Sequence, residues 1–343
     1  MRVGYYAHHH GRGHVARACA ILAHVRSPAT LFTSAEVPSP PENVEVVPLP
    51  PDLPRGDESP PPPPLHYAPI AHGGVRQRMA RIAAWAAEEP AVLVVDVSVE
   101  VALLGRLLSL PVVTVRQHGD RRDAPHEAAY RASVASLAPY APAIEDPAAP
   151  DWLREQTVYV GGLSRFAGRP RVPRAEPRTV CLVGGGGSTG PNSGAAWTEA
   201  QVTDAAAATP DWRWTWLGTT PSASGPPNLH RPGWVDDPFA TMSNAEVVIT
   251  AGGHNATMEA AAAGRPLIVF PEPRPFREQH HKAEALGRIG AALVPGPWPE
   301  ATRWRTLLAS ACAMDSTPLR ALADADAPRN AARFLDSLAE RYA

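Results

Sequence analysis

The chain has 343 residues, 44% of them hydrophobic, which is enough for two buried cores and suggests two domains. Its formal charge of −2 excludes the global basic field that would call for a nucleic-acid partner. Of the 32 Lys and Arg residues only Lys282 is a lysine, and the three cysteines, Cys19, Cys181 and Cys312, are too scattered for a metal-binding spacing.

Such cysteines are expected to be reduced thiols in the cytoplasm. The first residues lack the long apolar run of a secretory leader, and no stretch is apolar enough to span a bilayer. Peripheral contact with the inner face of the membrane stays open, through local arginines such as Arg116, Arg121 and Arg122.

In chain order, residues 3–7 read as a strand and 14–25 as a helix. Residues 30–33 and 44–47 are further strands. The prolines of 60–64 cannot enter regular structure and read as a polyproline surface loop. A helix follows over 74–87, then a buried strand over 92–95 that ends at Asp96. An apolar helix covers 101–108, and the strand 111–115 runs into Arg116, Gln117, His118 and Gly119. This alternation predicts a parallel, doubly wound α/β sheet.

Gly, Pro and Arg crowd together over 161–177 and mark a seam. A strand over 179–183 opens the second half, with a helix over 192–208 and a strand over 212–217. The run Val247-Val248-Ile249-Thr250 is a buried strand, followed by a Gly252-Gly253 turn, an Ala-rich helix over 254–263 and another strand over 267–270. The tail, 319–342, reads as helix. The domains are therefore placed at 1–162 and 178–318, with a linker over 163–177 and a C-terminal helical segment over 319–343.

Four sets of residues point to chemistry. The turn and first helical residues Gly252, Gly253, His254, Asn255, Ala256 and Thr257 lie at the carboxyl end of a strand, where α/β sheets bind ligands. Free N–H groups and the positive helix end there favour a phosphate. Glu259 and Gln279, on adjacent elements, suit the chelation of a sugar diol. The run Gly184–Gly190 follows an apolar strand. Its residues Gly185, Gly186, Gly187, Ser188 and Thr189 can cradle a diphosphate, and the absence of G-K-[ST] disfavours ATP hydrolysis.

Near the N-terminus, Gly11-Arg12-Gly13-His14 follows the first strand. Glycine allows a sharp turn and close approach to a ligand. His14, at a helix start, is a candidate general base, because a hydroxyl is a poor nucleophile until its proton is taken. The alternative is a histidine that only caps the helix. Asp96 can orient it, or can merely cap a turn. His118 is a rival base or an acceptor contact. His8, His9 and His10 adjoin this loop, but neighbours in a strand point opposite ways, so no metal site is expected.

The order of these elements resembles the donor-binding block of GT-B glycosyltransferases, closest to the MurG-type family that transfers N-acetylglucosamine from UDP. The resemblance rests on Gly252-Gly253, Glu259, Gly264-Arg265-Pro266 and Gln279, with the loop after residue 183 and the Gly13-His14 loop as support. It covers most of the second half and the first thirty residues; residues 38–150 match no family motif and are where the acceptor is expected.

It implies two Rossmann-like domains facing across a cleft, and inverting transfer of N-acetylglucosamine or another hexose from a UDP-sugar to a hydroxyl acceptor. It also implies no metal and no cofactor beyond the donor. Trp234 and Val235 would receive the nucleobase, Glu259 the ribose, and Glu278 and Gln279 the sugar. Lys282 stands where the family often has asparagine. The acceptor, lipid-linked or not, and the oligomeric state are not legible. A GT-B epimerase or hydrolase would need several cleft carboxylates, and a non-catalytic nucleotide-sugar binder would tolerate loss of His14.

Overall fold

The computed structural model describes residues 1–9, 13–52, 65–172, 175–184, 195–218 and 222–343. The chain forms two parallel sheets flanked by helices. The first contains β1 (Arg2–Ala7), β2 (Ala29–Thr33), β3 (Val44–Pro48), β4 (Ala91–Asp96), β5 (Val112–Val115), β6 (Ala135–Ala138) and β7 (Thr157–Tyr159). The second contains β8 (Thr179–Val183), β9 (Arg213–Leu217), β10 (Leu229–Gly233), β11 (Val247–Thr250) and β12 (Leu267–Val269). Their orders are β3-β2-β1-β4-β5-β6-β7 and β10-β9-β8-β11-β12.

Helices cover both faces, so the central strands are apolar throughout. β4 is AVLVVD, with every residue buried. Both sheets reverse their strand order, the first between β1 and β4 and the second between β8 and β11. Ligands bind at the carboxyl ends of strands at such a switch point. Ala7 pairs with Asp96 across the first, and Val183 with Thr250 across the second. The fold thus brings the His14 loop beside Asp96, and Gly184 beside the Gly252-Gly253 turn.

The last helix, Ala327–Arg341, returns to the first domain. Its Ala331, Leu335 and Leu338 enter the core that holds Ala18, Ile21 and Leu22 of the helix Gly13–Leu22. Each such leucine contributes about 1.5–3 kcal/mol of burial. Asp336 fixes the register by accepting the N–H groups of Arg26 and Ser27 at 3.1 Å each. Gly162 N–H donates to Leu322 O at 2.9 Å where the chain crosses back, and a Cβ on Gly162 would sit 2.1 Å from that oxygen.

Several expected bounds change. The helix placed over 192–208 begins at Glu199, because the Thr198 side chain caps it in a reciprocal capping box with Gln201. The helix placed over 14–25 ends at Leu22, five residues before Ser27 of the Ser27-Pro28 pair that cannot continue it. The tail is two helices, Thr317–Arg320 and Ala327–Arg341, parted where Ala323 bridges to Gly162. The polyproline run and Gly185–Thr189 lie outside the described residues, as do His10, Gly11 and Arg12.

Candidate active site

A cleft of about 500 Å³ lies between the two domains. The first domain lines it with Gly13, His14, Arg17, Gln117 and His118. The second lines it with Trp234, Val235, Gly253, His254, Asn255, Ala256, Glu259, Glu278, Gln279 and Lys282. Gly252 and Thr257 lie just behind this wall. Gly252 takes φ +82°, which favours glycine, and Thr257 is fully buried.

His14 and Asp96 meet. His14 Nδ1 is 3.0 Å from Asp96 Oδ1. Asp96 is fully buried at the end of β4 and also accepts from Arg17 Nε at 2.9 Å, Arg17 Nη2 at 2.8 Å and Tyr5 Oη at 3.1 Å. Burial would raise the Asp96 pKa, but the Arg17 guanidinium and His14 outweigh it and hold the carboxyl well below the usual range. The carboxylate is thus a fixed negative charge beneath His14.

Arg17 was not anticipated. It stands three residues after His14 on the same helix face, and its Nη2 is also 3.0 Å from His14 Nδ1. One ring nitrogen cannot both donate to Asp96 and accept from Arg17. Donation to Asp96 leaves Nε2 with its lone pair free, which is the form a base needs.

His118 is 3% exposed, and its Nε2 donates to Ile144 O at 2.9 Å. Burial, aided by Lys282, pushes its pKa well below 6.5. Its Nδ1 is buried and has no partner among the described residues. His118 is therefore neutral in the cleft wall, with its ring against Tyr140 at 4.4 Å.

The helix His254–Ala263 points its N-terminus into the cleft, with no side chain capping it. Its first N–H groups have no helical acceptor and are free for an anion. The two glycine loops face each other here, since a Cβ on Gly13 would lie 3.3 Å from Asn255 Nδ2. His254 Nε2 is buried without a partner among the described residues, and burial pushes its pKa well below 6.5.

Glu259 is 8% exposed and bonds to Arg165 Nε at 2.8 Å. Burial raises its pKa, which Arg165 partly offsets. Arg165 also donates to Asp236 O at 2.8 Å, tying the seam to the Trp234–Asp236 loop. Trp234 is 53% exposed at the cleft rim, where its indole donates to Asp236 Oδ1 at 2.8 Å. Gln279 Oε1 accepts from Glu272 N–H at 2.8 Å, and this fixes its amide beside Gly253.

Phe276 and Arg277 precede the helix Glu278–Arg288 with φ of +57° and +53°. Such conformations cost on the order of 1–3 kcal/mol each and persist only where the surroundings enforce them. Here the enforcing contact crosses the domains: Asp120 N–H donates to Phe276 O at 2.7 Å.

A second cavity of about 470 Å³ adjoins, lined mostly by the first domain with Pro275 and Phe276 of the second, and shares Gln117 with the cleft. Its wall includes His8, His9, Asp52, His66, Tyr67 and His126. The rings of His8 and His9 stack at 4.6 Å, so these neighbours do not point apart as expected of a strand; β1 stops at Ala7. His66, Asp123 and His126 also gather here, spaced as metal ligands could be. They satisfy one another, and His126 Nε2 meets Arg121 Nη1 at 3.1 Å. The cysteines are free thiols, and no described helix is long and apolar enough to cross a membrane.

Two doubly wound sheets facing across one cleft are the GT-B fold. The whole chain superposes on the glycosyltransferase of kitacinnamycin, with TM-score 0.71, 18% identity, and 100% and 99% of the two chains covered. It also superposes on Acinetobacter baumannii MurG, at 0.63, 15%, 98% and 99%. For Arabidopsis thaliana UGT89C1 complexed with UDP-L-rhamnose the values are 0.68, 14%, 99% and 98%.

Residues 232–337, which carry Glu259, Gln279 and Lys282, match the glycosyltransferase family 28 C-terminal domain. An uncharacterized glycosyltransferase of Methanosarcina acetivorans is 35% identical over 95 residues, 26% of this chain; the match spans 24% of that relative's length. The expected GT-B, MurG-like architecture is thus met in the fold and in the C-terminal domain.

Proposed function

We propose that the protein is an inverting glycosyltransferase that moves a hexose from a UDP-sugar to a hydroxyl acceptor without a bound metal. The observation that carries this reading is the His14–Asp96 pair, which shares one cleft with the open N-terminus of the helix His254–Ala263. A base and an anion cradle on opposite walls suit displacement at a carbon between them.

In this reading Trp234 and Val235 receive the uracil, Glu259 the ribose hydroxyls, and the turn Gly252-Gly253 with residues 254–256 the diphosphate. Gln279 and Glu278 face the sugar. The acceptor enters from the adjoining cavity past Gln117. Its hydroxyl proton goes to His14 Nε2 as its oxygen bonds to the anomeric carbon. The bond to the phosphate oxygen breaks, and UDP leaves with the electron pair. Helix dipoles aimed at the leaving oxygens stabilise the charge that develops there, which is the support for a metal-free step. Asp96 stabilises the imidazolium. The similarity to the family 28 C-terminal domain and to glycosyltransferase folds supports the class.

Most of the described carboxylates that line the cleft are tied up, which argues against proton shuttling at carbon. Glu259 pairs with Arg165, Glu272 with Arg274, and Glu278 with Arg121 at 3.5 Å, while Asp236 accepts from the Trp234 indole at the rim. The test is UDP release from a panel of UDP-hexoses with hydroxyl acceptors, in EDTA, with the anomeric configuration of the product read by NMR. Acceptor-dependent release with inverted configuration is expected. Acceptor-independent epimerisation would overturn the reading.

A further inference from the structure

Lys282 is the chain's single lysine, and it is buried in the cleft. Every other Lys or Arg position holds arginine. Its side chain is 1% exposed yet borders the cavity, and it has no hydrogen bond or ion pair among the described residues. An ammonium in such a place costs several kcal/mol unless something compensates it.

Among the described residues the compensation is only partial. Glu278, one turn earlier on the same helix, is the anionic neighbour, but its carboxylate is turned to Arg121 at 3.5 Å. Arg17 and Arg121 add positive charge around Lys282. On the same wall of the cleft a further buried nitrogen, His254 Nε2, lacks a partner among the described residues. A buried ammonium, an unsatisfied His254 Nε2 and a surplus of positive charge make a place for anionic oxygens. An ammonium is a compact point charge with three donors to offer.

We propose that Lys282 forms an anion subsite that binds an anionic group of the donor, either its diphosphate or a carboxylate on its sugar. The inference rests on the donor reading above and deepens it. Burial lowers the Lys282 pKa to about 8, against the raising effect of Glu278, so the amine is still largely protonated at neutral pH. A bound anion would hold that proton.

The single lysine makes the test direct. Protein grown with 13C-lysine shows one Lys Cε–Hε resonance, from Lys282. UDP, UDP-glucose, UDP-glucuronate and inorganic pyrophosphate are titrated into wild type, and affinities are compared with Lys282→Met. If the diphosphate is the anion, UDP itself moves the resonance and binds the variant at least about tenfold more weakly. If the sugar carboxylate is the anion, wild type prefers UDP-glucuronate to UDP-glucose by a similar factor, and the variant loses that preference while binding UDP normally.

A wild type that binds UDP-sugars while the resonance stays fixed and the variant's affinities are unchanged overturns the subsite and leaves the donor reading intact. A wild type that binds no uridine nucleotide overturns the donor reading. Pyrophosphate then decides the subsite alone: a moving resonance keeps it, and a fixed one removes it.

Discussion

His14 Nδ1 lies 3.0 Å from Asp96 Oδ1, joining two residues 82 positions apart at the switch point of the first sheet. The pair depends on a third residue, because Arg17 holds both oxygens of the same carboxylate. Asp96 therefore serves a base and a structural ion pair at once, and variants of the three residues should separate these roles.

Removing the base should spare the fold. His14 is partly exposed, and its loss leaves the bidentate Arg17–Asp96 pair in place. His14→Ala should lower turnover by roughly 10²- to 10⁴-fold with UDP affinity unchanged. Steady-state kinetics beside UDP calorimetry checks this. Unchanged turnover would remove His14 from the mechanism.

Asp96→Asn should act on stability as well. It leaves the Arg17 guanidinium buried without a counter-charge, which costs about 3–5 kcal/mol. Sign matters for the pH profile. The folded pKa of Asp96 is depressed, so its contribution is full above the unfolded value near pH 4 and is lost as pH falls through the folded one. Wild type should lose its advantage over Asp96→Asn only below about pH 4. Denaturation midpoints from pH 7 down to pH 2 test it, and a constant gap would contradict the ion-pair account.

Much of this arrangement was legible because parallel strands buried on both faces leave runs rich in Val, Ile and Leu. β4, β5, β8 and β11 are of that kind. β6 reads ASLA and carries no such signal. β10 contains Pro232, which is tolerated because β10 is the edge of its sheet. The glycine turns, Glu259 and Gln279 stood out by local spacing. Arg17 and Arg165 did not, since their partners Asp96 and Glu259 lie 79 and 94 residues away. The His14–Arg17 spacing of one helical turn was the only local hint.

Lys282 should cost the protein stability. Its folded pKa is lowered by burial to about 8, so below that pH the native state holds a proton it binds poorly. The unfolded chain binds that proton up to about pH 10.4, so wild-type stability rises between the two values. The groups facing it are Glu278, Arg17, Arg121, His118 and His254. Lys282→Met should therefore be more stable by roughly 3 kcal/mol at pH 7, and the gain should shrink toward pH 10.5. Equal denaturation midpoints at pH 7 would show that the ammonium is not buried at a cost.

Gly119 packs directly against the second domain. Its φ is +113°, and a Cβ there would lie 2.5 Å from Phe276 O. Gly119→Ala should break the Asp120–Phe276 hydrogen bond and lower stability by about 1–3 kcal/mol. It should also raise the KM for the donor, because Phe276 leads into the helix of Gln279 and Lys282. An unchanged KM would uncouple that contact from the cleft.

The most direct test of the central claim is a thermal-shift titration of the protein with UDP, GDP and TDP, with and without EDTA. A ligand bound only by the native state raises its stability with the logarithm of saturation. A uridine-specific rise in melting temperature that survives EDTA is the predicted result. No shift with any of the three nucleotides would contradict the account, leaving a GT-B fold whose cleft does not bind a nucleotide donor.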